Sequence, residues 1–437
     1  MPLELSVCPG TAMLLKPPSI RFWGINVSQN SEPRGFKTST NPFRWGVLVG
    51  VWLSYFCFGL TMVTLAPLVT EISADLNLTH SQMGTVLAAW QSVYIFSAIP
   101  LGILLDRAGT RRSIMFAFAM IAISVALRAN ASGHASLFLA VAVFGLGGPL
   151  ISVGAPKTIS LWFEGKERGL AMGVYMTAPT LGSMVGLSLT NSLFMPMFDG
   201  NWRSVLMLYA VFIASVSLVW WLITAHKACR AAESQQAKSP RQSQSGTFLR
   251  LIKIPAFRIV LTMAVGIFFI NHAFNNWLPE ILRSKDMNAV DAGYLATLPV
   301  ALAVVSSLAI PRLATPKRRI PILFCLFTGF GLASLALQAP DGPVLIAALI
   351  VQGLARGSAM TLCILVLLDI PNVGSERAGV AGGMFFSAAE LGGVMGPLSI
   401  GVVSDMSSGF SSPLYMMTGV SVILLGLLII LRHQKDS

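Results

Sequence analysis

Apolar residues in this chain gather into twelve long runs, at 46–69, 83–105, 113–129, 136–162, 169–194, 203–224, 256–278, 292–312, 320–338, 343–368, 380–402 and 413–431. A helix rises about 1.5 Å per residue, so about 20 apolar residues cross the ~30 Å hydrocarbon layer of a bilayer. Runs this long and this numerous, joined by short connections rich in Gly, Pro, Asn, Asp and Ser, predict an all-α polytopic membrane protein with twelve transmembrane helices. Only 11% of the 437 residues are charged, where soluble domains carry about a quarter.

The net charge of +12 raises nucleic acid as a partner, and its distribution removes it. With the N-terminus in the cytoplasm, inside segments hold 24 of the 30 Lys and Arg: five in 1–45, three in 106–112, two in 164–168, seven in 225–258, four in 312–319, Arg377, and two in 432–437. The outside connections hold Arg128, Arg203, Arg283 and Lys285, while Lys157 and Arg356 lie within helices. This positive-inside bias predicts cytoplasmic termini and insertion in the plasma (cell inner) membrane, so the basic charge concerns topology. No basic patch interleaved with aromatic residues sits on a soluble domain, as nucleic-acid binding would require.

Residues 1–42 are polar and broken by Pro, without the apolar core or cleavage site of a signal peptide, and read as a disordered cytoplasmic tail. The five cysteines, Cys8, Cys57, Cys229, Cys325 and Cys363, form no CxxC pair and have no His partner, so neither a disulfide framework nor a metal site is expected.

The polar connection 225–255 divides the helices six and six, giving an N-terminal bundle over 43–224, a C-terminal bundle over 256–432 and a tail at 433–437. The halves resemble each other. "GKERGLAMGVYMTAPTLGSMVG" (165–186) and "GSERAGVAGGMFFSAAELGGVMG" (374–396) both set Glu-Arg at a turn and then repeat a glycine series, in which Gly173, Gly182 and Gly186 match Gly383, Gly392 and Gly396. "GLGGP" from Gly145 matches "GLARG" from Gly353. The chain thus reads as a duplicated six-helix unit, two pseudo-symmetric bundles around a central cavity lined mainly by helices 1, 4, 7 and 10. Gly182/Gly186 and Gly392/Gly396 form small-xxx-small faces that let helices pack closely.

An ionisable residue inside the bilayer costs several kcal/mol, so each is a functional candidate. Mid-helix these are Arg356, Glu390 and Lys157, though a lysine stem at position 157 can also snorkel to the interface. Arg356 and Glu390 fall at depths agreeing within about one helical turn, on adjacent helices 10 and 11. The reading is a pair in which Arg356 binds an anionic group and Glu390 holds it or accepts a coupling proton. The alternative is a fixed ion pair for packing. The first half has Gly148 and Thr180 at these positions, so the charges are an addition to one half. On helix 7, Asn271, His272, Asn275 and Asn276 recur at spacings that share nearby faces, as a polar substrate site or as interhelical hydrogen bonds.

Between helices 2 and 3 stands "GILLDRAGTRR" (102–112). It resembles the loop signature of the major facilitator superfamily, in which Gly, apolar residues, Asp and a basic residue lead to a second Gly and two basic residues. With twelve helices and a duplicated half, the resemblance covers nearly all of 43–432. "PKTISLWFEGKERGLAMG" and "NNWLPEIL" look nearest to the cyanate-permease-like and nitrate-porter-like members. The resemblance implies that Gly102, Asp106, Arg107, Gly109, Arg111 and Arg112 form a latch on the inner side, with Asp106 capping the inner end of helix 11 when the protein opens outward. Plain anchoring by positive charge is the competing reading. The matching segment "PRLATPKRR" (311–319) lacks an acid, so a latch there is expected to be weaker. The antiporter signature of helix 5 is not met by "APTLGSMVG", which counts against drug–proton antiport.

No phosphate-binding loop, HExxH or catalytic constellation appears, so neither an enzyme nor a cofactor is expected. The function implied is secondary active transport by alternating access, most naturally of a small organic or inorganic anion, with a proton as candidate coupling ion, by a monomer in the lipid bilayer. Transport of a cationic or zwitterionic metabolite, drug efflux, and a transporter-like receptor or sensor remain open alternatives.

Overall fold

The computed structural model describes residues 41–236, 247–370, 373 and 378–436; the expected N-terminal tail, the middle of the central connection and the Glu376-Arg377 turn lie outside them. Among the described residues there is no strand. Eleven helices are long and apolar enough to cross a membrane, and the longest is two. His80–Ala129 breaks at Gly109, whose φ of 82° and ψ of 164° are non-helical, a conformation that glycine adopts without the steric cost a side chain brings. The twelve helices are α1 Arg44–Leu76, α2 80–108, α3 110–129, α4 His134–Trp162, α5 Gly165–Met197, α6 Trp202–Thr224, α7 Pro255–Arg283, α8 Ala289–Leu313, α9 Arg319–Ala336, α10 Pro343–Leu368, α11 Val380–Ser407 and α12 Ser411–Gln434.

Local chemistry starts and bends these helices. Thr79 and Gln82 form a capping box at α2, Asn201 and Asn288 accept backbone N–H groups at the starts of α6 and α8, and Pro255 and Pro343 open α7 and α10, where a missing N–H costs nothing. Side chains also tie helices together within the second half: Trp277 Nε1 of α7 donates to Pro397 O of α11 at 2.9 Å. In α5 the turn Thr190–Phe194 is a π-helix, and Asn191 Nδ2 from it donates to Pro67 O (2.9 Å) and to Ala289 O (3.3 Å).

The duplication appears in the packing. A β-carbon at Gly182 would strike Phe56 O and lie 2.8 Å from Leu60 N on α1, while one at Gly392 would strike Val265 O and lie 2.8 Å from Phe269 N on α7. Gly186 then meets Val63, and Gly396 meets Phe269 and Ala273. Gly145 presses α4 on Trp90 of α2 as Gly353 presses α10 on Pro299 of α8. The same four-helix weave is therefore built twice, in two pseudo-symmetric bundles.

The ends of the molecule differ. Call the end holding the 106–112 and 312–319 segments the basic end and the other the far end. At the far end the halves are joined: Arg283 pairs with Glu71 at 2.8 Å, Thr70 Oγ1 donates to Glu280 at 2.7 Å, and Gly84 brings α2 against Pro397 of α11. Toward the basic end, Gly102, Gly169, Gly173, Gly382 and Gly383 have no non-local atom within 4 Å of a β-carbon position, and Phe96 and Ile99 are 82% and 74% exposed. The bundle is closed at the far end and open at the basic end.

Three expectations change. Arg128, expected in an outside connection, is 2% exposed: its Nη1 donates to Thr64 Oγ1 (2.8 Å) and Thr61 O (3.2 Å), holding α1 where the helix yields to the turn Ala66–Leu68. The central connection, expected only as a polar segment, carries helices at Lys227–Gln236 and Thr247–Ile252, and Ala228, Cys229 and Ala232 in it are buried. The basic segment of the second half does find an acid, since Arg319 pairs with Asp369 at the end of α10, an acid 50 residues along the chain that spacing could not supply.

Candidate functional site

At mid-depth α7 presents two polar faces. Asn271 and Asn275, four residues apart, are half-buried, whereas His272 and Asn276 are buried. Gln91 of α2 donates its amide N–H to His272 Nδ1 at 2.9 Å, a bond across the two halves, and the ring packs against Trp90 and Phe268 at 5.9 and 5.5 Å. Asn276 Nδ2 donates back to His272 O at 2.8 Å.

Glu390 of α11 reaches the His272 face. It is 8% exposed, and its Oε2 has no hydrogen-bond partner among the described residues. Gly393 makes room for this meeting: a β-carbon there would sit 3.0 Å from Glu390 Oε2, 3.3 Å from His272 Cδ2 and 3.4 Å from Gln91 Cγ. Facing the carboxyl from the first half is a hydroxyl wall. Tyr94 Oη and Ser152 Oγ are 2.8 Å apart, Tyr55 Oη donates to Ser152 O at 3.1 Å, and the Tyr55 and Tyr175 rings meet edge-on at 5.1 Å. Tyr94 and Glu390 are close enough to interact electrostatically.

Arg356 of α10 reaches the other face of α7. Its Nη2 donates to Asn275 Oδ1, and among the described residues no carboxylate lies within ion-pair distance of it. The expected Arg356–Glu390 pair is thus corrected. α7 packs against α11 and also meets α10, while α10 and α11 scarcely touch, so the two charges flank α7 instead of meeting.

Lys157 lies outside this cluster, five residues beyond Ser152 or about 7.5 Å along α4 toward the basic end. Its Nζ donates to Asp106 Oδ1 at 2.5 Å, joining one expected substrate residue to the expected latch. Arg107 and Arg112 are exposed, and Arg111 O accepts from Trp220 Nε1 at 3.2 Å. The residues 374–377 that precede α11 lie outside the described residues, and with them the expected Asp106 cap.

Sequence reasoning missed Gln91, Tyr55, Tyr94, Ser152 and Tyr175. The chain has six tyrosines; four fall on first-half helices, and three of these, Tyr55, Tyr94 and Tyr175, meet there; that clustering was the available signal.

Two matched six-helix bundles, open at one end onto a central cluster of charged and hydroxyl groups, define a non-enzymatic membrane transporter. The Major Facilitator Superfamily model matches residues 51–342, and the chain belongs to that superfamily. Among its relatives are the D-galactonate transporter of Escherichia coli O6:H1 (24% identical over 411 residues, 87% of this chain and 93% of that protein), and the hexuronate transporter and nitrite extrusion protein of Bacillus subtilis (each 22% identical over 373 residues, 80% of this chain and 85% of each). The fold is similar to the crystal structure of the nucleoside transporter NupG, with a TM-score of 0.73 and 14% identity over 90% of this chain and 99% of that one. It is also similar to an inward-facing, unoccupied bacterial homologue of the lysosomal transporter Spinster (TM-score 0.70, 15% identity, 90% of this chain and 96% of that one).

Proposed function

We propose that the protein is a secondary active transporter of a small anion bearing carboxylate-like or nitrate-like oxygens. One observation carries this reading: at mid-membrane depth Arg356 is bonded to a neutral amide, so its charge is free to attract a substrate anion. Asn275 holds the guanidinium on one side, and Asn271, one turn nearer the open end, offers a further polar contact. The names of the D-galactonate, hexuronate and nitrite relatives support an anion. Glu390 is the group we assign to a coupling proton, because a buried carboxyl without a partner can take one up without breaking an ion pair.

The positive-inside bias puts the basic end in the cytoplasm of a plasma membrane. The described conformation is then open to the inside, and alternating access requires the far-end contacts to break while the basic end closes. Lys157 and Asp106 stand where that closure would form. A second reading has its own support: Arg356 and Glu390, opposite charges on two sides of α7, suit the two ends of a zwitterion.

A thermal-stabilisation screen of the purified protein discriminates between them. D-galactonate, glucuronate and nitrite should raise the unfolding midpoint of the wild type and not of Arg356→Ala. Stabilisation by zwitterionic amino acids, lost equally in Arg356→Ala and Glu390→Gln, favours the second reading. Stabilisation by cations alone overturns the anion reading.

A further inference from the structure

A groove of about 610 Å³ opens between α9 and α12 at the basic end, well away from the central cluster. Ligand pockets span about 300–1,000 Å³, so this one is large enough to hold a molecule. Its lining is graded. Lys317 and Arg432 supply two cations, and among the described residues that line it none is acidic. Phe324, Leu428 and Ile429 form its apolar part. Ile429 and Leu428 lie about 4.5 and 6 Å deeper than Arg432, and Phe324 lies about 7.5 Å deeper than Arg319, the first residue of α9, at 1.5 Å per residue. Leu428 is buried at the floor, while Phe324 and Ile429 remain 45% and 48% exposed as walls. Pro316 and Pro321 also line the groove, which stiffens its entrance.

We propose that this groove binds one anionic phospholipid, with the phosphate on Lys317 and Arg432 and an acyl chain along Phe324, Leu428 and Ile429. Cations at the headgroup level above an apolar slot match an amphiphile with a negative head, and basic pockets between helices at that level are suited to anionic headgroups. Free phosphate would satisfy the cations but leave the apolar slot unmatched. The neighbouring Arg319 bonds Asp369 and, at 3.2 Å, Leu365 O, so the bound head would lie beside the joint between α9 and α10, the helix that carries Arg356. The proposal depends neither on the transported substrate nor on its direction.

The test uses the full chain in detergent with an equal mixture of phosphatidylglycerol and phosphatidylcholine of identical acyl chains, reading retained lipid by native mass spectrometry. Wild type should keep one phosphatidylglycerol in preference to phosphatidylcholine. That preference should fall about tenfold or more in Lys317→Ala/Arg432→Ala, with the unfolding midpoint unchanged. Phe324→Asp, which keeps both cations, should lose the retained lipid as well. Two results overturn the proposal: a preference that survives the double substitution, or displacement of the lipid by millimolar inorganic phosphate, which would make this a phosphate site.

Discussion

Asp405 in the last turn of α11 accepts the backbone N–H of Ser81 at 2.7 Å and that of His80 at 3.1 Å, in the first turn of α2. A carboxylate of one half thereby caps a helix of the other, where the helix dipole favours negative charge. The expected contact at the opposite end, Asp106 on the start of α11, is its counterpart, with the roles of α2 and α11 exchanged. Caps of this kind contribute about 1 kcal/mol, enough to shift a two-state equilibrium about fivefold. In Asp405→Ala, which removes both acceptor oxygens, a cysteine introduced at Leu398, which lies against Gly84 at the closed end, should react several-fold faster with a membrane-impermeant thiol reagent added from the far side. An unchanged labelling rate would show that this cap does not hold the far end shut.

Arg356→Lys keeps the charge but loses the planar fork that meets two oxygens at once. Transport in proteoliposomes should drop by roughly ten- to a hundredfold, while the unfolding midpoint moves little because Arg356 is half-buried and bonded to a single neutral partner. Normal turnover in this variant would remove Arg356 from the substrate site.

Glu390→Gln is nearly isosteric and cannot exchange a proton. Substrate exchange across the membrane should persist, whereas substrate-driven proton movement, followed with a pH-sensitive dye inside vesicles, should vanish. Proton movement at the wild-type level in this variant would assign coupling elsewhere.

The glycines divide into two kinds that stability measurements separate. Gly392→Ala forces a methyl into Val265 O and Phe269 N, and overpacking of this sort costs about 1–3 kcal/mol. Gly383→Ala meets nothing within 4 Å and gains helix propensity of up to about 1 kcal/mol. Thermal unfolding should therefore be lowered in the first and unchanged or raised in the second; the opposite order would contradict the packing described.

Most of the fold was legible because its main constraint is local. A helix must be apolar over the bilayer thickness, and that requirement is written along the chain one run at a time. The glycine series was equally legible, since close packing of α5 on α1 and of α11 on α7 needs small residues at fixed spacing, and Gly182 and Gly392 meet their partners through equivalent backbone. The same local rules gave each residue a depth, at 1.5 Å per residue. They put Arg356 and Glu390 within about one helical turn of a common level.

Depth, however, leaves the direction around each helix axis and the choice of neighbour open. Arg356 turns to Asn275 and Glu390 to the His272 face because α7 stands between α10 and α11, an arrangement decided by how the six helices of a half pack together. Arg128 is buried for the same reason: its position near the end of α3 reads as interfacial, and only the approach of Thr61, Thr64 and Phe144 encloses it. The tyrosine wall and the Asp405 cap join residues far apart in the chain, and which end of the bundle is open depends on contacts between the halves. Sequence thus determined which residues enter the membrane and how deep each one sits. Tertiary structure alone decided which of them face one another, because side-chain direction and helix neighbours are set by packing in three dimensions.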